Sequence, residues 1–191
     1  MIIPAGTQTI ETPRLLLRKF EKGDARNAFR NWCSDPQVTR YLKWSTHQHL
    51  LQTEQVLNYW IKEYRDPCCF HWAVTLKSTG EIIGGMSIMV RDKYDERGEL
   101  GYSFGSAYWG HGYGSEAARA VLRYGFGTVG LNRIEGFCAV ENLSSAGLME
   151  HIGMQREGLH RKMCRLSCGD FTDCYSFAIL ADEYFAEQAP R

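Results

Sequence analysis

Trp109-Gly110-His111-Gly112-Tyr113-Gly114 carries the strongest chemical signal in the chain. Glycines at alternate positions let the backbone turn tightly and leave no Cβ between the peptide N–H groups and a ligand. A helix-like run from Ser115 to about Phe126 follows. The loop amides therefore merge with the unpaired donors of a helix's first turn, at the positive end of its dipole. Such a segment suits a phosphate or pyrophosphate; the bland alternative is a flexible turn from strand to helix. Two familiar phosphate motifs do not fit. A Walker loop needs Lys-Ser/Thr after its last glycine, where this chain has Ser115-Glu116. The dinucleotide fingerprint needs two residues between its second and third glycines, and only Tyr113 separates Gly112 from Gly114.

Other reactive side chains give weaker signals. Cys164, Cys168 and Cys174, with His160 upstream, raise a zinc site. Their spacing matches no Cys-x-x-Cys knuckle and the segment reads as a hairpin, so no metal is expected. His71 and His111 read as structural or surface groups.

These residues must be held by ordinary elements. Ile10 to Phe20 reads as a first strand entering after Pro13, and Asp24 as the N-cap of a helix ending near Ser34-Asp35-Pro36. Gln48 to Tyr64 has apolar residues near the helical period. Strands are expected at His71–Leu76, Glu81–Val90 and Gly98–Phe104, the last leading into the glycine loop. On the helix after that loop, Ala118, Val121, Leu122 and Gly125 share a face that packs on a sheet. Arg133–Val140 reads as strand, Ser144 starts a short helix stopped at Gly153, and Met154–Leu166 with Thr172–Leu180 forms a terminal hairpin. Ala181 to Arg191 is a short helix or loose end. The whole is a mixed α/β arrangement, one sheet with helices packed on it, in a single domain over residues 1–191.

Composition narrows the function classes. Hydrophobic residues make up 44% and aromatic residues 13%, an ordinary globular balance. Lys plus Arg equals Asp plus Glu at 22 each, which argues against a general nucleic-acid binder. No apolar run approaches membrane-spanning length, and Met-Ile-Ile-Pro opens the chain without a basic, apolar leader. Seven cysteines, an odd and scattered set, read as reduced thiols of a cytoplasmic protein.

Taken together, the residues resemble the GNAT N-acetyltransferases, and among them the ribosomal-protein N-terminal (Rim-type) branch. The likeness covers nearly the whole chain. Its anchors are Glu11-Thr12-Pro13-Arg14-Leu15-Leu16-Leu17-Arg18, Asp35-Pro36-Gln37-Val38-Thr39-Arg40-Tyr41-Leu42, Glu99-Leu100-Gly101-Tyr102 with the glycine loop, Leu131-Asn132-Arg133-Ile134-Glu135, Glu141-Asn142-Leu143-Ser144-Ser145 and His151-Ile152-Gly153-Met154. The resemblance implies a mostly antiparallel sheet with one splayed parallel pair and helices on both faces. It implies acetyl-coenzyme A as cofactor, held by Trp109, Gly110, His111, Gly112, Tyr113, Gly114 and Ser115. Trp109 occupies the motif's first position, where relatives carry Gln or Arg, and tryptophan cannot donate as they do.

The implied chemistry is attack of an amine on a thioester. It needs a group to keep the amine neutral, donors for the oxyanion, and a proton for the leaving thiolate. By resemblance the pantetheine lies in a V between Glu99–Phe104 and Arg133–Val140, with the backbone N–H of Phe104 or its neighbour as oxyanion donor. Glu99 is the favoured base, acting through water, with Glu135 second; the alternative for either is a carboxylate tied up by an arginine such as Arg133. Asn142 and Ser145 match the family's Asn-x-x-Ser and would touch the cofactor, unless they serve only as helix caps. Many relatives place a tyrosine acid where this chain has Met149, leaving Ser145, water or an unprotonated thiolate (pKa roughly 8.5 by analogy with cysteine). Cys138 faces the implied cleft, but plain packing is the stronger reading than an acyl-cysteine. The aromatic cluster Trp32, Tyr41, Trp44, Tyr59, Trp60 and Tyr64 would wall the acceptor site or pack the core. Acceptors in the family are protein N-terminal amines or small amines, and homodimerisation through the last strands is a family habit.

Overall fold

Alternating apolar positions pair into one eight-stranded sheet in the structure, a computed structural model that describes residues 1–188. The strands are β1 (Ile10–Glu11), β2 (Leu15–Arg18), β3 (Phe70–Leu76), β4 (Ile82–Asp92), β5 (Arg97–Phe104), β6 (Arg133–Ala139), β7 (Gln155–Arg165) and β8 (Phe171–Leu180). Their spatial order is β1-β2-β3-β4-β5-β6-β8-β7. Every neighbour is antiparallel except β5 and β6. A parallel pair needs a long crossover, and helix α4 (Tyr113–Tyr124) supplies it.

Helices cover both faces. On one lie α1 (Ala25–Ala28), α2 (Pro36–Thr39) and α3 (Leu50–Glu63). There Trp32 and Leu57 pack on Phe20, Ala73 and Ile82. On the other lie α4 and α5 (Leu143–His151), where Ala117, Ala118, Val121, Leu122 and Met149 pack on Trp72, Met86, Ile88 and Ile134. The expected face of α4 is thus the buried one. The chain ends in α6 (Ala181–Gln188); the last three positions of the expected tail lie outside the described residues.

Two local readings gain detail. The strand expected after Pro13 is β2, and Ile10–Glu11 ahead of it folds back at Thr12-Pro13-Arg14 as a separate short strand, with Leu15 N–H donating to Thr12 Oγ1 at 2.9 Å. Asp35-Pro36 stops one helical segment and also starts α2. Asp35 Oδ1 accepts from Gln37 N–H at 2.9 Å with proline at the first helical position, where its missing N–H costs nothing.

The decisive feature is where pairing stops. β5 and β6 pair only from Arg97/Arg133 to Glu99/Glu135. Beyond that, β5 stays with β4 as far as Phe104/Gly84, and β6 stays with β8 as far as Ala139/Cys174. Each strand follows its outer partner, so the two diverge into a V. Glu99 and Glu135 mark its root.

Candidate active site

The glycine loop leaves β5 through a short turn at Ser106–Tyr108 and enters α4 at Tyr113. Gly110 and Gly112 have φ of +76° and +77°, a conformation that costs other residues about 1–2 kcal/mol. Among the described residues, none accepts a hydrogen bond from the amides of residues 110–115; the next amide, Glu116 N–H, reaches Gly112 O at 3.0 Å. No atom lies within 4 Å of where a Gly110 Cβ would stand. An exposed row of amides at a helix N-terminus fits a diphosphate, the anion of acetyl-coenzyme A. Gly114 works differently: a Cβ there would meet Leu148 Cδ1 at 2.8 Å, so this glycine lets α4 and α5 approach.

The loop is held from behind by residues about a hundred positions away. Glu116 accepts from Thr12 Oγ1 at 2.6 Å, Arg14 N–H at 2.9 Å and Arg14 Nε at 2.6 Å. Arg14 Nη1 also donates to His111 O at 2.9 Å, and its guanidinium lies 4.6 Å from the Tyr113 ring centroid. Burial alone would raise the Glu116 carboxyl, but the Thr12 and Arg14 hydrogen bonds outweigh it and hold the carboxyl below its ordinary value. Arg14 thereby also offsets a negative charge that would otherwise oppose an anion in the loop. Trp109 donates its indole N–H to Phe104 O at 2.8 Å, which clips the loop to the end of β5.

The V opens onto a row of β5 amides. Gly105 N–H bonds Ile83 O at 2.9 Å. Hydrogen bonding alternates along an antiparallel pair, so the Phe104 N–H points to the opposite edge, into the V. Glu99 lies on the sheet face that α1 and α3 cover further along, since its row continues through Gly101 and Ser103 to partners of His71 and Ala73. Glu99 is paired with Arg91 at 2.8 Å and 23% exposed. Glu135, beside it, is bridged by Arg133 at 2.8 Å and Arg97 at 3.5 Å. Both carboxylates thus make arginine salt bridges, the contact that the sequence reading set beside proton transfer as its alternative.

On the opposite, α5 face, Asn142 caps the helix: its Oδ1 accepts from Ser145 N–H at 3.2 Å. Ser145 Oγ lies 2.7 Å from the Tyr102 hydroxyl. The Cys138 thiol sits beside Ser145, and burial pushes it up to about 11, so it stays a neutral thiol and a poor nucleophile. Met149 is 1% exposed, with its sulfur 2.6 Å from where a Gly136 Cβ would stand. It fills space over β6 and has no proton to give. Tyr102 is the residue that sequence reading passed over; as a position two before Phe104, it shares that residue's face by strand alternation.

The α1–α3 side of the V is fenced. Asp35 accepts from Ser106 at the end of β5, and Ser167 in the β7–β8 turn donates to Leu42 O at 3.0 Å. Of the aromatic cluster, Trp32 is buried, while Trp44 and Tyr59 line an open hollow of about 450 Å³. His71, enclosed by Phe20 and Trp60, is lowered to about 4 by burial and is structural. Among the described residues no group of His, Cys, Asp or Glu is placed to hold a metal ion.

The family of the acetyltransferase (GNAT) domain matches residues 14–155. The chain belongs to the GNAT acetyltransferases. The N-acetyltransferase p20 of Bacillus licheniformis is 33% identical over 177 residues, 93% of this chain and 98% of its own. A GNAT-family acetyltransferase structure from Bacillus anthracis superposes with a TM-score of 0.82 at 32% identity, covering 92% of this chain and all of its own. A ribosomal-protein-S5-alanine acetyltransferase from Vibrio fischeri has the same fold, with a TM-score of 0.80 at 20% identity over 93% and 98% of the two chains. This GNAT protein is thus an acetyl-coenzyme A-dependent N-acetyltransferase, and no helix among its described residues is long and apolar enough to cross a membrane.

Proposed function

We propose that the acceptor is the N-terminal α-amine of a protein, with ribosomal proteins, the Rim-type class, foremost, and that acetyl passes to it directly. The observation that carries the direct route is the V itself. Its V-facing amides, alternate residues from Leu100 to Phe104, lead to the loop of unpartnered amides, so an oxyanion donor and anion donors follow one another along the chain. The Vibrio fischeri protein, by its name, acetylates an alanine of ribosomal protein S5, and it shares the fold.

In this reading the amides of residues 110–115 bind the diphosphate, with Asn142 offering its free side-chain N–H₂ to the pantetheine arm. The Phe104 N–H stabilises the oxyanion. Glu99, partly exposed beside Arg91, takes the amine's proton through a chain of waters along β5. Ser145 faces the sulfur. Acetyl-coenzyme A supplies the activated acetyl group when bound, and coenzyme A leaves as the product. We place the protein in the cytoplasm, since every cysteine in it is free.

Thiol release from acetyl-coenzyme A, measured with peptides of differing first residues alongside spermidine and an aminoglycoside, tests the proposal. Turnover selective for a peptide N-terminus is expected. Turnover only with small amines would replace the acceptor class, and cofactor binding without turnover on any amine would favour an acyl-coenzyme A sensor.

A further inference from the structure

We propose that Tyr102 is a positioning residue that makes Ser145 a hydrogen-bond donor toward the sulfur of the leaving thiol. The inference rests on the role given to Ser145 above. Where β5 and β6 part, three side chains line the gap on the α5 side: Tyr102 from β5, Ser145 from α5 and Cys138 from β6. They bridge the strands that the backbone has let go.

A serine hydroxyl has one proton and two lone pairs. In a helix its proton commonly turns back to a carbonyl three or four residues earlier, which would remove it from any chemistry. Here Ser145 Oγ and Tyr102 Oη share a hydrogen bond of 2.7 Å in which either hydroxyl can donate, and the phenol also has Ser145 O as a longer acceptor at 3.2 Å. When the phenol donates to Oγ it fills one lone pair and leaves the serine proton to point elsewhere. The neutral Cys138 thiol occupies a second flank. On this reading the remaining direction is the V. Met149, buried over Gly136, cannot do the same work.

The bonds balance simply. The amine nitrogen forms a bond to the acyl carbon, the carbon–sulfur bond breaks with its electron pair on sulfur, and the amine's proton goes to Glu99 through water. Ser145 gives the sulfur a hydrogen bond and keeps its own proton.

The test is calorimetric binding of coenzyme A against desulfo-coenzyme A, which lacks the sulfur. The protein should prefer coenzyme A by about fivefold, the size of one net hydrogen bond. Tyr102→Phe and Ser145→Ala should each bring that ratio close to one, and the double variant should lose nothing more. In turnover, Tyr102→Phe should lower kcat about tenfold with KM for acetyl-coenzyme A nearly constant. An unchanged ratio in Ser145→Ala overturns the serine's role and the inference with it. A ratio lost in Ser145→Ala but kept in Tyr102→Phe, or additive losses, overturns the tyrosine's role alone. Should Tyr102→Phe fail to fold, 3-fluorotyrosine at position 102 keeps the shape and donates more strongly; it should raise the ratio, and no change refutes the proposal.

Discussion

Gly112→Ala isolates the contribution of the loop's backbone shape. At φ +77° an added Cβ is strained by about 1–2 kcal/mol. The new atom would stand 3.4 Å from Arg14 Nη2, the end of a flexible side chain that can give way. The cost is thus conformational. If the backbone holds, melting falls by about 2–8 °C, at 2–4 °C per kcal/mol for a chain of this size. If the neighbouring peptide rotates to relieve strain, at least one amide leaves the diphosphate, a charge-assisted bond of about 1.5–3 kcal/mol. We expect the second course, with kcat/KM for acetyl-coenzyme A lowered roughly ten- to hundredfold. S-acetylpantetheine, which has no diphosphate, provides the comparison. Its much lower kcat/KM should be the same in Gly112→Ala and the parent protein. Gly127→Ala, where no atom lies within 4 Å of the new Cβ and φ is not positive, should leave both donors unaffected. Equal losses with both donors, or no loss with either, would refute diphosphate binding by these amides.

Further expectations concern neighbouring groups. The depressed Glu116 carboxyl stabilises the fold above its ordinary value of 4.5, and that stability is lost as pH falls through the lower folded value. Glu116→Gln should therefore melt below the parent at neutral pH, with the gap closing in acid, as followed by thermal denaturation. Glu99→Gln should lower kcat by about ten- to a hundredfold and flatten the acid limb of the rate–pH profile; an unchanged profile would remove Glu99 from proton transfer. Met149→Tyr should lower the melting temperature, because overpacking the site over Gly136 costs about 1–3 kcal/mol, and should not raise the rate.

What the sequence determined by itself was local. Gly110 and Gly112, followed by the helical run that begins as α4, specify a turn with exposed amides, because glycine conformation and helix-end donors depend on residues adjacent in the chain. The periods of the strands and of α3 were legible for the same reason, and the Asn142 cap lies three residues from the amide it accepts. Tertiary structure decided whatever depends on partners distant in sequence. It set the point at which β5 leaves β6, since that follows from the competing pulls of β4 and β8. It gave Glu99 to Arg91 by strand pairing, put β8 between β6 and β7, and brought Arg14 to Glu116 across 102 positions. It also set Tyr102 against Ser145, 43 positions apart, a contact no periodicity announces because its two residues belong to a strand and a helix packed together only in the folded chain.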